Sequence, residues 1–260
     1  MMAALTLYHG APNGPSLTVL AALFEKGLDA ELVPIDLARG ERHGAAVPRT
    51  VEVEMTIEGE GPVLVADGEP MADSVFVACY LDETGAGGKL VPGDAYQRWE
   101  CMAFCRWIIE RAAPAAAFLG TRAYLAPELA KLDDAAFEAM VGDIVSEDLK
   151  QRWRDARAGA FPEDKAQDSE AKIAQAVERV EARLDGRDWL MGSFSIADLE
   201  SYAWLAGMAE IVPQAFANAP RTQAWLGRVK ARPSVARALA LGSGDPRKAW
   251  APGPEINRWG

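Results

Sequence analysis

Two places in the chain bring together residue types that could handle a charged ligand. Ser16 stands just before the first apolar helical register, in which Leu17, Leu20, Ala21 and Phe24 fall at i, i+3, i+4 and i+7. A hydroxyl at a helix N-terminus lies where backbone N–H groups and the helix dipole favour negative charge, and it can add one more hydrogen bond to an anion. It can equally cap its own helix. Asp73-Ser74 opens a second helical segment. There Ser74 can accept or donate and Asp73 can pair an ammonium, while capping alone also accounts for Ser74. Between these places Glu52, Glu54, Glu58 and Glu60 put four carboxylates into nine residues, with only Arg49 nearby.

Other chemistries find little to work with. Cys79, Cys101 and Cys105 form no C-x-x-C pair and no disulfide framework. Cys101 and Cys105, at i and i+4, read as small core residues on a buried stripe. With His9 and His43 the only histidines, no metal site is expected. No nucleophile-base-acid triad, phosphate loop or base-stacking surface is present. The net charge of −11 argues against nucleic acid or an anionic membrane as partner. No apolar run reaches membrane-spanning length and no signal-peptide pattern opens the chain, so a cytoplasmic protein is expected.

The elements that must position these residues follow from periodicity and turn chemistry. Leu5 to Tyr8 reads as a strand, the register from Leu17 as a helix ended by Gly27, and Ala30 to Ile35 as a second strand. A right-handed crossover makes the two strands parallel. After an irregular acidic stretch, Val63 to Ala66, the turn Asp67-Gly68, and Glu69 to Ala72 read as a hairpin, and a helix runs from about Ser74 to Glu83. The order β-α-β-β-β-α is that of a thioredoxin-like fold. Residues 84–93 are rich in Gly and read as a linker. From Asp94 onward the pattern is helical, with long segments at 94–119, 133–158 and 168–186. Ser195-Ile196-Ala197-Asp198 reads as a capping box, with Phe194 and Leu199 placed as a hydrophobic staple. The expected organisation is an α/β thioredoxin-like domain over 1–83, an all-α domain over 94–242, and a Pro/Gly-rich tail over 243–260.

Four segments in this order, LTLYHG at 5–10, GPVLVADGEPMADSVFVACYLDE at 61–83, WLMGSFSIADLESYAWL at 189–205 and RVKARPSVARAL at 228–239, resemble the cytosolic glutathione S-transferases over nearly the whole chain. LYHGAPNGPSLTVLAALFEKGL at 7–28 and DLKQRWRDARAGAFPED at 148–164 resemble the bacterial branch that cleaves lignin-type β-aryl ethers. The resemblance implies a glutathione site on the first domain, a small aromatic substrate on the helical one, and a homo- or heterodimer with a homologue. It implies that Ser16 stabilises the glutathione thiolate, that Gly61 and a cis Pro62 clamp the cysteinyl unit, and that Asp73 and Ser74 bind the γ-glutamyl end. Tyr8 occupies the strand-end position that other transferase classes use as thiolate partner, and also reads as a strand residue packing on the core.

Three departures from the family pattern matter. Pro15 stands where the etherase pattern has Asn, and lacks an N–H. Gly61 stands where a larger apolar residue is usual. Thr56 to Pro62 replaces an Asn-Pro-x-Gly-x-Val-Pro run and carries Glu58 and Glu60: either these face water, or they weaken binding of an anionic ligand, each like charge costing about 1 kcal/mol in a surface-like dielectric. Trp99, Phe104, Trp107, Phe118, Trp153 and Phe161 suit a planar phenolic substrate, or serve as core. Arg106, Arg111, Arg152, Arg154 and Arg157 are expected in solvated i, i+4 pairs. Two functions fit: glutathione-dependent cleavage of β-aryl ethers, and a catalytically silent partner subunit supporting an active homologue. A glutathione conjugase or reductase acting on another electrophile is a third.

Overall fold

The computed structural model describes residues 4–54 and 61–242. The acidic Thr56–Glu60 run and the tail from residue 243 lie outside the described residues, and so do the expectations that rest on them.

Four strands form one mixed sheet in the order β2-β1-β3-β4. They are β1 (Leu5–His9), β2 (Glu31–Pro34), β3 (Val63–Ala66) and β4 (Glu69–Met71). β2 runs parallel to β1, β3 antiparallel to β1, and β4 antiparallel to β3 across the Asp67-Gly68 turn. Asp67 and Gly68 both take positive φ, which explains the Asp-Gly choice. Strand alternation sorts β1: Leu5, Leu7 and His9 are buried, with Leu5 and Leu7 in the large core, whereas Tyr8 packs with Val47, Val53 and Val63.

Helices α1 (Gly14–Glu25), the single turn α2 (Val51–Glu54) and α3 (Ser74–Thr84) complete this part of the chain. Buried Lys26 just past α1 pairs with Asp82 of α3 at 3.0 Å and donates to Gly88 O, while Asp82 accepts from Leu90 N and Val91 N. The segment after α3 has neither helix nor strand, and this ion pair anchors it.

Helices account for the rest: α4 (Ala95–Trp107), α5 (Ala113–Gly120), α6 (Ala126–Leu129), α7 (Asp134–Val141), α8 (Glu147–Arg157), α9 (Glu163–Arg183), α10 (Ile196–Leu205), α11 (Met208–Ile211), α12 (Pro213–Phe216), α13 (Pro220–Lys230) and α14 (Pro233–Leu239). Beyond residue 95 the described residues hold no strand, only an isolated bridge between Met191 and Ser193. α4, α5 and α6 run on through two π-helical turns, Ile108–Ala112 and Thr121–Leu125. Pro114 and Pro127 follow these turns; neither has an N–H to give the carbonyl four residues back, and the ladder widens to accommodate the missing bond. The expected 133–158 helix is two helices, α7 and α8, because Ser146 caps a new start by accepting from Leu149 N. α9 begins five residues earlier than its apolar register suggested, with Glu163 and Asp164 in its first turn.

The capping box is present. Asp198 Oδ2 accepts from Ser195 N and Ser195 Oγ, both at 3.0 Å, and Asp198 Oδ1 accepts from Leu190 N and Trp225 Nε1. α1 packs on α3, α10 and α14, so one hydrophobic core runs from the sheet into the helical part. A second cluster joins Leu37 to Leu125, Leu129, Phe137, Val141 and Trp153. Among the described residues no helix is long and apolar enough to cross a membrane.

Candidate functional site

The sheet register gathers the candidate residues at one end of β1. Tyr8 opposes Val63, which places Pro62 beside the last residues of β1. Leu64 opposes Met71, which carries Asp73 past the same end. Chain reversal after His9 brings the N-terminus of α1 there too, and α1 lies against α3. Ser16, Gly61-Pro62 and Asp73-Ser74 therefore border one region.

Ser16 is fully buried, and its Oγ accepts from Gly10 N at 3.0 Å. Asn13 takes over the capping of α1 by accepting from Gly14 N. The serine is thus released from the capping duty considered for it, and its own proton has no described acceptor. Leu37 lies over this corner: a Cβ at Gly10 would sit 2.6 Å from Leu37 Cγ and 3.4 Å from Ser16 Oγ. Gly10→Ala must push Leu37 out of its cluster, and is expected to cost about 1–3 kcal/mol. Thermal melting checks this, and a variant as stable as the parent would show that the space is not contested.

Asp73 and Ser74 lead to a residue that the sequence reading missed. Ser74 Oγ donates to Glu200 Oε2 at 2.9 Å, and so does Thr18 Oγ1, also at 2.9 Å. Trp204 Nε1 donates to Glu200 Oε1 at 2.7 Å. A fully buried carboxylate on α10 thus joins α1 to α3. Burial pushes Glu200 up to about 7, against the pull of its three donors, and neighbouring Asp73 adds to the rise. Burial likewise lifts Asp73 to about 6, opposed by the N–H groups of Val75 and Phe76. Asp73 also sits at φ 75°, an uncommon conformation for a residue with a side chain. Every residue of α10 is buried, so its polar members Asp198, Glu200 and Ser201 must find partners inside, but nothing local in the sequence announces that burial.

These two carboxyl groups set a pH dependence. Both hold their protons more tightly folded than unfolded, so the stability they contribute is complete below about pH 4 and is lost as pH rises through about 6–7. Buried His9, whose pKa burial lowers, acts in the opposite sense as pH falls. Glu200→Gln is therefore expected to shrink the excess of the melting temperature at about pH 5.5 over that at about pH 8. An unchanged difference would assign the titration elsewhere.

The expected cis bond at Gly61-Pro62 is corrected: no cis peptide occurs among the described residues. The Gly61 carbonyl accepts from buried Arg42 Nε at 2.9 Å, and Arg42 also donates to Val53 O at 3.0 Å. This holds Gly61 to the segment before it and takes up one of the two lone pairs of that carbonyl. The expected support from a cis-proline is therefore absent. Tyr8 lies on the sheet face away from α1, where strand alternation places it as a packing residue.

The aromatic residues separate by role. Trp153 is completely buried and Phe104 nearly so. Trp107 lies under the Arg179 guanidinium at 4.8 Å, and Trp99 is exposed. Phe118 and Phe161 are half-buried and meet edge to face at 5.3 Å, and Phe161 packs on the cluster that contains Leu37. Arg106–Glu110 and Arg152–Asp148 form the expected i, i+4 pairs. Arg154 and Arg157 instead reach across to Glu138 and Asp134 of α7, because the break before α8 folds the two helices together.

Comparison with known proteins agrees with this architecture. Residues 130–233 match the family described as the glutathione S-transferase C-terminal domain. Protein LigF of Sphingobium sp. strain SYK-6 is 29% identical over 242 residues, spanning 89% of this chain and 91% of that protein. The crystal structure of β-etherase LigF from that strain superimposes with a TM-score of 0.82 at 27% identity, covering 93% of this chain and all of the other. A Burkholderia graminis glutathione transferase, crystallised with two glutathione molecules bound per subunit, shares the fold with a TM-score of 0.62 at 23% identity, covering 93% of this chain and 90% of its own.

Proposed function

We propose that this chain, which has the glutathione S-transferase fold and carries that family's C-terminal domain, uses glutathione to cleave β-aryl ethers of lignin-derived aromatic ketones. Its similarity to a β-etherase along nearly the whole chain supports the reaction class. The observation that carries the reading here is Ser16: buried at the N-terminus of α1, it accepts from Gly10 N and keeps a proton to give. In the proposed reaction that proton hydrogen-bonds the glutathione thiolate, whose charge the helix N-terminus also favours. The sulfur attacks the carbon carrying the aryloxy group, which the adjacent ketone activates. A carbon–sulfur bond forms as the carbon–oxygen bond breaks, and the phenolate leaves with the bonding pair and takes a proton from water. The protein's share is thiolate stabilisation and alignment. Asp73 and Ser74 bind the γ-glutamyl end, Gly61 and Pro62 border the cysteinyl unit, and Phe118 with Phe161 offers an apolar wall to the aromatic ring. The test is incubation with glutathione and a β-aryloxy ketone: phenol and glutathione thioether are expected in equal amounts, and no phenol release would overturn the reading.

A silent partner subunit is the second reading, and specific observations favour it. Ser16 has no exposed surface, the Gly61 carbonyl already accepts from Arg42, and Pro15 removes an N–H beside the serine. Calorimetry with glutathione on the chain alone, then with any co-purifying partner, distinguishes the two.

Either reading involves a dimer, and the surface suits one. Phe76 of α3 and Tyr96 and Trp99 of α4 are all more than 60% exposed, at 67%, 68% and 61%. Cys79 Sγ meets Met102 Sδ at 3.9 Å, which ties the two helices together one turn beyond Phe76 and Trp99. Such an apolar cluster on a charged protein marks a contact surface. Replacing Phe76 and Trp99 together by Asp is expected to convert the dimer to monomer in light scattering, and an unchanged mass would place the interface elsewhere.

A further inference from the structure

We propose that residues 36–41 form a flap whose Leu37 side chain plugs the space beside Ser16, so that glutathione reaches the serine only when the flap lifts. The inference rests on the assignment of Ser16 proposed above and adds the regulation of access to it.

Ser16 has no exposed surface, so an atom of glutathione can reach its hydroxyl only after part of the cover moves. Leu37 belongs to that cover. A Cβ built at Gly10 would lie 2.6 Å from Leu37 Cγ and 3.4 Å from Ser16 Oγ, so the leucine side chain and the hydroxyl flank one small space. The segment that carries Leu37 is constructed to move as a unit. Every described hydrogen bond of residues 36–41 closes within residues 36–44. Asp36 O accepts from Arg39 N and Glu41 N, Asp36 Oδ1 from Ala38 N, Glu41 Oε2 from Asp36 N, and Leu37 O from Gly40 N. Asp36, Arg39 and Glu41 are exposed. What holds the segment down is apolar packing: Leu37 and Ala38 join the cluster of Leu125, Leu129 and Phe161, and Gly40 lies against the Met140 carbonyl. The two ends are fixed. Ile35 N donates to His9 O at 2.8 Å, and buried Arg42 donates to Gly61 O and Val53 O. Lifting the segment between these anchors leaves no backbone group unpaired in the interior, and exposure of Leu37 is the main cost. The balance between closed and open forms then scales the apparent affinity for glutathione by the open fraction.

The test is calorimetry with glutathione at several temperatures. Leu37→Ala removes most of the side chain that holds the flap shut, and is expected to bind glutathione about tenfold or more tighter than the parent. Leu37→Met, similar in volume, should bind like the parent. The heat capacity change of binding is a second readout. Opening exposes Leu37 in the parent, so its value should be less negative than that of Leu37→Ala. A leucine that only supports the fold would, on truncation, weaken binding or leave it unchanged, and either result in a folded Leu37→Ala overturns the proposal. If that variant does not fold, Leu37→Val decides: about threefold tighter binding is expected, and unchanged or weaker binding overturns the flap. Binding by neither parent nor variants overturns the site assignment, and the flap with it. Tighter binding by Leu37→Ala without phenol release from a β-aryloxy ketone would support the flap and overturn the proposed reaction alone.

Discussion

Ser16→Ala is expected to lower turnover of a β-aryloxy ketone by about ten- to a thousandfold, the range that follows from losing one donor to a resting or developing anion in a site closed to water. The structure makes this a clean substitution. Asn13, not Ser16, caps α1, so the helix start survives the change. The one described interaction lost is the acceptor for Gly10 N, worth about 1 kcal/mol. Folding and catalysis should therefore part company: the melting temperature falls by a few degrees while the rate collapses. A companion measurement strengthens the assignment. The thiol pKa of bound glutathione, followed by thiolate absorbance, should rise in the variant, since the hydroxyl favours the charged form. Full activity in Ser16→Ala would move the chemistry to another subunit and favour the silent-partner reading.

The second large effect is on stability. Asp198→Ala removes the acceptor of four hydrogen bonds, from Leu190 N, Ser195 N, Ser195 Oγ and Trp225 Nε1, inside a residue with no exposed surface. Burial raises the pKa of Asp198 in spite of those four donors. Leaving donors unpaired in the interior costs more than the net worth of their bonds, and a loss of about 3–5 kcal/mol is expected. For a chain of this size that lowers the melting temperature by roughly 10 °C. Asp198→Asn separates the contributions. Its amide oxygen can keep Leu190 N and Trp225 Nε1, but its NH2 then faces the Ser195 N–H, so an intermediate loss is expected. A loss below about 1 kcal/mol for the alanine variant would mean that water enters and takes over the acceptor's place.

What could be read from the sequence was what the chain encodes within a few residues. The β1-α1-β2 unit, the Asp67-Gly68 hairpin and the Ser195–Asp198 capping box are governed by local periodicity, positive φ and short-range capping, and each lies where its residues predict. Ser16 and Ser74 were placed at helix starts by the same reasoning. Their partners were not legible. Glu200 meets Thr18 and Ser74 across 182 and 126 residues, and no spacing rule spans such a distance. The Gly61 carbonyl accepts from Arg42, nineteen residues earlier, whose burial nothing in its neighbourhood announces. Arg154 and Arg157 were assigned to intrahelical pairs because i, i+4 is the nearest offer. The fold supplied α7 instead.

The two wide turns ahead of Pro114 and Pro127 also decide which way a whole helix looks. At about 100° per residue, a regular helix would leave Leu125 about 120° away from the direction of Cys101. Each π turn absorbs one residue without advancing the rotation, and two of them bring Leu125 back to within about 40° of it. The inner stripe that begins at Cys101, Phe104 and Cys105 is thereby kept in phase over more than twenty residues. Leu125 can then close on Leu37 above Gly10 and Ser16. The prolines act as phase correctors, and the roof over the serine is set by a rotation introduced far from it.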